Sequence, residues 1–212
     1  NPDLRWETTE QVNLGLDFAF FESRVTGTVD VYNKLTKDLL QNVPIPLSSG
    51  FMNVQVNRGE IENRGIEASI NAILLDKNDF TVSVGGNIAF NKTKLKNLGL
   101  PPSSILIDGS YQSLPFYQGN NVSRGNIFKY APNVFVEGYE SSLFYGYETD
   151  GIYQLGDILP GGGIARIYDP SDDNPPIYWA GDYKIVDQNG DGVIDLEDRT
   201  IIGNPNPDFV YG

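Results

Sequence analysis

QVNLGLDFAF, residues 11–20, sets Val12, Leu14, Leu16, Phe18 and Phe20 against Gln11, Asn13, Gly15, Asp17 and Ala19. A strict period of two sends each set to its own side of an extended chain, so the segment is a strand with one apolar and one polar face. The same pattern recurs outward along the sequence. Val25, Gly27, Val29 and Val31 alternate with Thr26, Thr28, Asp30 and Tyr32. Ile66, Ala68, Ile70 and Ala72 alternate with Glu67, Ser69 and Asn71, and Phe80, Val82, Val84, Gly86, Ile88 and Phe90 with Thr81, Ser83, Asn87 and Asn91. Each run has about the 9 to 11 residues that a tilted membrane-crossing strand needs. The expectation is an antiparallel meander of strands near 9–21, 24–36, 60–75 and 79–95, with Leu14, Leu16, Val29, Val31, Ile70, Val82 and Val84 on one face.

Alternation alone fits a membrane barrel, apolar outside, and a soluble sandwich, apolar inside. The connections favour the barrel. Short turns are expected near residues 21–23 and 76–78, whereas long stretches separate the second strand from the third and follow the fourth. Periplasmic turns at one end and extracellular loops at the other produce this pattern. Aromatic residues, with Phe20, Phe21 and Phe80 at the short-turn end and Trp6, Tyr32 and Phe90 at the other, fit the two rims of such a wall and equally the core of a sandwich. The fold class expected is therefore all-β, an antiparallel meander forming part of a large transmembrane β-barrel with long extracellular loops. Residues 1–95 would hold four barrel strands with one extracellular loop at about 37–59. Residues 96–207 would form a long extracellular region, and residues 208–212 the start of the next strand. Within the long region, residues 143–155 are rich in aromatics and read as a short hairpin, while residues 159–163 and 169–176 are Gly- and Pro-rich turns.

Composition narrows the function. The chain has no cysteine and no histidine, which removes thiol nucleophiles, zinc-thiolate sites, histidine metal ligands and the Ser-His-Asp triad. A formal charge of -13 is the wrong sign for a nucleic-acid partner. No apolar run approaches the roughly 20 residues of a membrane helix. Carboxylates such as Glu60, Glu62 and Glu67, or Asp172 and Asp173, stand without a nucleophile elbow or phosphate-cradling loop, and no enzyme activity is expected. Tyr111, Phe116, Tyr117, Tyr130, Tyr139, Tyr145, Tyr147, Tyr178 and Trp179 offer flat faces for a sugar or partner, or for packing loop on loop.

One loop carries a metal signal. Asp187, Asn189, Asp191, Asp195 and Asp198 occupy positions 1, 3, 5, 9 and 12 of a calcium-type loop, with Gly192 at the sharply turning position 6. Val193 would add its carbonyl. The expected ion is a structural Ca²⁺ outside an EF-hand, because the entering segment is β-like and Gly203, Asn204 and Pro205 cut the exit short. A polar turn held by Asp and Asn side chains is the competing reading.

The same run, GDGVIDLEDRTIIGNPNPDFVYG (residues 190–212), resembles a signature of the SusC/RagA family of TonB-dependent outer-membrane transporters from Bacteroidota. NPDLRWETTEQVNLGLDF (residues 1–18) and FYGYETDGIYQ (residues 144–154) agree with it, in the family's order. The resemblance implies a slice of a barrel of about 22 strands. It also implies a SusD-like surface lipoprotein partner, outer-membrane lipid around the wall, and import of oligosaccharide or peptide with energy delivered by TonB through segments outside this chain. From the loop spacing, which also resembles a single dockerin repeat, the alternative is a secreted calcium-stabilised β-module that binds carbohydrate or protein.

Overall fold

Backbone pairing follows the alternation. The computed structural model describes residues 4–44, 46–122, 130–155, 180–192 and 194–212. Its chain divides into two units, one of Asn1–Gly99, Glu137–Ser141 and Asn206–Gly212, the other of Leu100–Val136 and Ser142–Pro205.

In the first unit, β1 (Thr8–Phe20), β2 (Val25–Lys37), β5 (Glu60–Lys77), β6 (Phe80–Asn97) and β15 (Val210–Tyr211) form one sheet in the order β1-β2-β5-β6-β15. Every neighbouring pair is antiparallel. Leu14 faces Val31, Leu16 faces Val29, Val29 faces Ala68, Gly27 faces Ile70, and Ala72 faces Val84. Directly opposed residues share a face, so the seven apolar residues singled out above lie on one side of the sheet. The other side is polar: Thr28 is opposite Ser69, their hydroxyls 2.8 Å apart.

Leu14, Leu16 and Ile70 are 75%, 64% and 52% exposed. A sandwich would bury these side chains under a second sheet, and among the described residues no second layer covers them. The apolar face is built to meet lipid. Close cross-strand approach keeps the wall thin where the sequence places glycine. A Cβ on Gly27 would stand 2.4 Å from the ring of Phe18, its direct partner. On the polar side the Tyr32 ring leans over Gly65, where a Cβ would come within 2.6 Å of the tyrosine oxygen.

The short connections are tighter and slightly displaced from expectation. Residues 21–24 join β1 to β2 with Phe21, Glu22 and Ser23 at φ 55°, 56° and 66°, three consecutive side-chain-bearing residues in the left-handed region. The second turn is Asn78 and Asp79 rather than residues 76–78, because Lys77 already pairs with Phe80. A bulge between Ile73 and Leu75 absorbs one residue of β5 just before it. The longer connection after β2 carries its own hairpin, β3 (Leu40–Pro44) with β4 (Asn53–Asn57). Glu7 ties this hairpin to the start of β1 by accepting from the Leu40 amide at 2.7 Å. At the end of β6 away from the short turns, Glu137–Ser141 returns to the sheet: the Leu95 amide donates to the Tyr139 carbonyl and the Gly138 amide to the Leu95 carbonyl.

The second unit begins with the hairpin β7 (Ser103–Ile107) and β8 (Ser110–Leu114). Its main sheet runs β14-β11-β10-β9, from β9 (Phe116–Gln118), β10 (Asn133–Val136), β11 (Leu143–Tyr147) and β14 (Arg199–Gly203). Residues 143–155 do not make the hairpin their composition suggested. β11 pairs with β10 and β14, while β12 (Thr149–Ile152) pairs with β13 (Tyr183–Ile185). For β11 the non-local partners bury Leu143 and Tyr145, which a hairpin with the exposed β12 would not do. Ile105, Leu106, Ile107, Val134, Val136 and Leu143 are all buried. The segments 159–163 and 169–176 lie outside the described residues.

The exposed apolar face gives the first prediction. In the full-length protein folded into bilayers, Ile70→Arg is expected to cost about 2–4 kcal/mol, whereas Ser69→Arg on the polar face costs less than about 1 kcal/mol. Denaturant titration of folding measures both, and equal costs would contradict the assignment of faces.

Candidate functional site

The acidic loop leads from β13 into β14 and is organised by its own backbone amides. Asp187 accepts from Gly190 at 2.7 Å with one oxygen and from Gly192 at 2.8 Å with the other. Asn189 accepts from the Asp191 amide at 2.9 Å, and its own side-chain amide donates to Asp191 at 3.1 Å. Asp198 is fully buried and accepts from the amides of Gln188 at 2.8 Å, Asn189 at 3.4 Å and Asp195 at 2.7 Å. Asp195 caps the short 3-10 turn Leu196–Asp198 by accepting from Glu197 at 2.7 Å. Gly190 and Gly192 turn the chain at φ 74° and 83°, a region that side chains disfavour.

The loop therefore gathers Asp187, Asn189, Asp191, Asp195 and Asp198, but points most of their oxygens at N–H groups. Among the described residues no group of three or more acidic side chains is set to hold a metal ion. Val193 lies outside the described residues. Burial raises the Asp198 carboxyl above its ordinary range, an effect opposed by its three amide donors and reinforced by Asp187.

Beside Asp198 sits a residue that the sequence did not single out. Arg199 is 5% exposed and has no carboxylate partner among the described residues. One guanidinium nitrogen donates to the carbonyls of Ala131 and, at 3.1 Å, Tyr145; the other reaches Gln118 at 3.5 Å. Its guanidinium lies 4.6 Å from the Tyr145 ring centre and 5.6 Å from that of Tyr130. Burial lowers its pKa, and the same burial raises that of Tyr147. An arginine that follows three acidic residues in five reads as a surface ion pair, so no sequence signal marked it as core.

The aromatic candidates divide between packing and surface. Tyr117 stacks on Phe135 at 4.6 Å, and Tyr145 is buried. Tyr111 is 54% exposed and hydrogen-bonds Glu197 at 3.2 Å. With Phe116, Gln118 and Tyr145, these two line an open cavity of about 310 Å³. Tyr178 and Trp179 lie outside the described residues.

A long-stranded meander with one lipid-ready face, one polar face and a folded insertion between successive wall strands defines a transmembrane β-barrel protein. Residues 1–193 match the family model described as TonB dependent receptor-like, beta-barrel. The chain belongs to this family, whose barrels are outer-membrane proteins. It is 36% identical over 212 residues to TonB-dependent receptor P3 of Formosa agariphila and 34% identical over 215 residues to TonB-dependent receptor SusC of Bacteroides thetaiotaomicron. Both matches cover 100% of this chain but 19% and 18% of those proteins. In fold it resembles the structure of the RagAB peptide transporter, with a TM-score of 0.62 over 100% of this chain and 20% of that one, at 24% identity. The chain thus spans about a fifth of the length of the relatives it matches.

Asp198 supplies the second prediction. Asp198→Ala would strand buried amides at a cost of about 1–3 kcal/mol each, while Asp198→Asn keeps an acceptor and costs less. Hydrogen exchange in the full-length protein should show the Gln188 and Asp195 amides losing protection in the alanine variant. Unchanged exchange would mean that the carboxylate does not hold the loop.

Proposed function

We propose that this chain forms part of the wall and outer loops of an importer that carries oligosaccharide or peptide across the outer membrane. The single observation that supports it most is the pair of unlike sheet faces in a chain of the TonB-dependent receptor family: a polar surface lines a path, and an apolar one seals it into lipid. Energy from TonB and a SusD-like surface lipoprotein complete the reading, consistent with relatives named SusC and RagAB. Deleting the full-length gene should abolish growth on one class of oligomeric nutrient while leaving growth on its monomers intact. Uptake unchanged for every glycan and peptide offered would refute the reading.

In the proposed orientation, the hairpin β7–β8 is extracellular and the turn of Asn78 and Asp79 periplasmic. Strand parity supports this, since both short turns fall at the same end of the meander. A membrane-impermeant maleimide should label Ser110→Cys in intact cells, and Asn78→Cys only after the outer membrane is permeabilised. The reverse result would invert the topology.

We also propose that residues 187–198 take up a structural Ca²⁺ through Asp187, Asn189, Asp191, Asp195, Asp198 and the Val193 carbonyl. The support is the spacing of five oxygen-bearing side chains around Gly192. Closing on an ion would redirect the oxygens of Asp187 and Asn189 from the Gly190, Gly192 and Asp191 amides, so affinity should be below that of a tight EF-hand. Calorimetry is expected to show Ca²⁺ raising the melting temperature of wild type but not of Asp191→Ala. If both respond alike, the loop is a self-sufficient polar turn.

A further inference from the structure

One cavity of the second unit takes no part in the wall. It lies where the hairpin β7–β8, β9, β11 and the turn Leu196–Asp198 converge, and its volume of about 310 Å³ is at the small end of ligand pockets, room for a single ring. Phe116 and Gln118 reach it together because residues two apart on β9 share a face. Tyr117 between them turns the other way and stacks on Phe135. Leu106 and Tyr145 line the cavity as buried residues, and Tyr111 lines it as an exposed one.

Two polar side chains of this cavity keep hydrogen-bonding capacity in reserve. Glu197 accepts from the Tyr111 hydroxyl at 3.2 Å with one carboxylate oxygen, and its other oxygen has no partner among the described residues. Gln118 accepts from the buried Arg199 at 3.5 Å, so its amide nitrogen is left as a donor, also without a partner among the described residues. Charge narrows the ligand further. An anion would meet the Glu197 carboxylate, and a cation would meet the field of the Arg199 guanidinium, 4.6 Å from the centre of the Tyr145 ring. An apolar side chain would desolvate the carboxylate and the amide and answer neither. A sugar ring answers both: it is neutral, its hydroxyls donate to a carboxylate and accept from an amide, and its C–H face lies on an aromatic ring.

We propose that this cavity holds one neutral sugar ring of an oligosaccharide: Glu197 accepts from its hydroxyls, Gln118 donates to another of them, and Tyr111 and Phe116 support its C–H face. The inference rests on the importer reading above and narrows it, since a cavity with these groups selects a neutral glycan over a peptide. Its reach is local, to one ring held by the insertion. The remaining rings of the chain would extend past the exposed Tyr111 and Glu197 into solvent.

An array of neutral hexasaccharides of glucose, mannose, galactose and xylose, with hexapeptides beside them, tests it when probed with the full-length protein in detergent. Wild type should bind at least one hexasaccharide, and Tyr111→Ala and Glu197→Gln should each weaken that binding about tenfold or more. Both side chains are exposed, and heat-modifiable gel migration of each variant separates lost binding from lost folding. Binding to no hexasaccharide, binding to hexapeptides alone, or hexasaccharide binding that either substitution leaves intact would each overturn the site. Uptake by cells decides the importer reading separately. If cells import a glycan while the substitutions leave binding intact, only the cavity assignment fails; if cells import no oligomer, the reading itself fails.

Discussion

A backbone placed in hydrocarbon has no water to satisfy its N–H and C=O groups, and each unpaired group costs several kcal/mol there. The first unit is organised by that constraint. β1, β2, β5 and β6 pair in continuous register over nearly their whole lengths, with interruptions only at Glu60/Ile61 and Ile73/Leu75, close to the ends of the strands. Side-chain alternation then assigns one face to lipid and the other to a polar interior. The glycines at 27 and 65 let neighbouring aromatic rings lie flat against the wall without spreading the strands.

The second unit uses a different strategy. Its core contains two adjacent charges, Asp198 and Arg199, each buried and each neutralised by backbone dipoles. Amide N–H groups surround the carboxylate, and carbonyls surround the guanidinium. Desolvating a charge is expensive unless its hydrogen-bonding capacity is filled. Here the acidic loop supplies the amides for Asp198, while the Ala131 segment and β11 supply the carbonyls for Arg199, so the two residues tie β11, the Ala131 segment and the acidic loop into one arrangement.

Period-two patterns made the wall legible because a strand exposed to two unlike solvents must alternate. Leu14, Leu16, Val29 and Val31 could be assigned to one face without coordinates for that reason. The insertion was far less legible. Its strands are short, and which pairs with which is decided by burial among non-local partners, as β11 shows by leaving β12 for β10 and β14. The acidic loop reads in sequence as a calcium-type loop, and spacing alone does not specify which of its oxygens accept from backbone amides, as those of Asp187, Asn189 and Asp198 do here. Arg199 was invisible because its environment comes from Gln118, Ala131 and Tyr145, none of them near it in sequence.

The return of Glu137–Ser141 to the edge of β6 changes what kind of object the insertion is. An ordinary surface excursion joins its scaffold at two stems and can be exchanged between relatives as a cassette. This one is stitched to the scaffold at a third point midway along its length, where Leu95 trades hydrogen bonds with Gly138 and Tyr139. Shuffling such insertions among relatives would succeed only when the stitch and its strand travel together, which couples diversification of the insertion to the sequence of the wall.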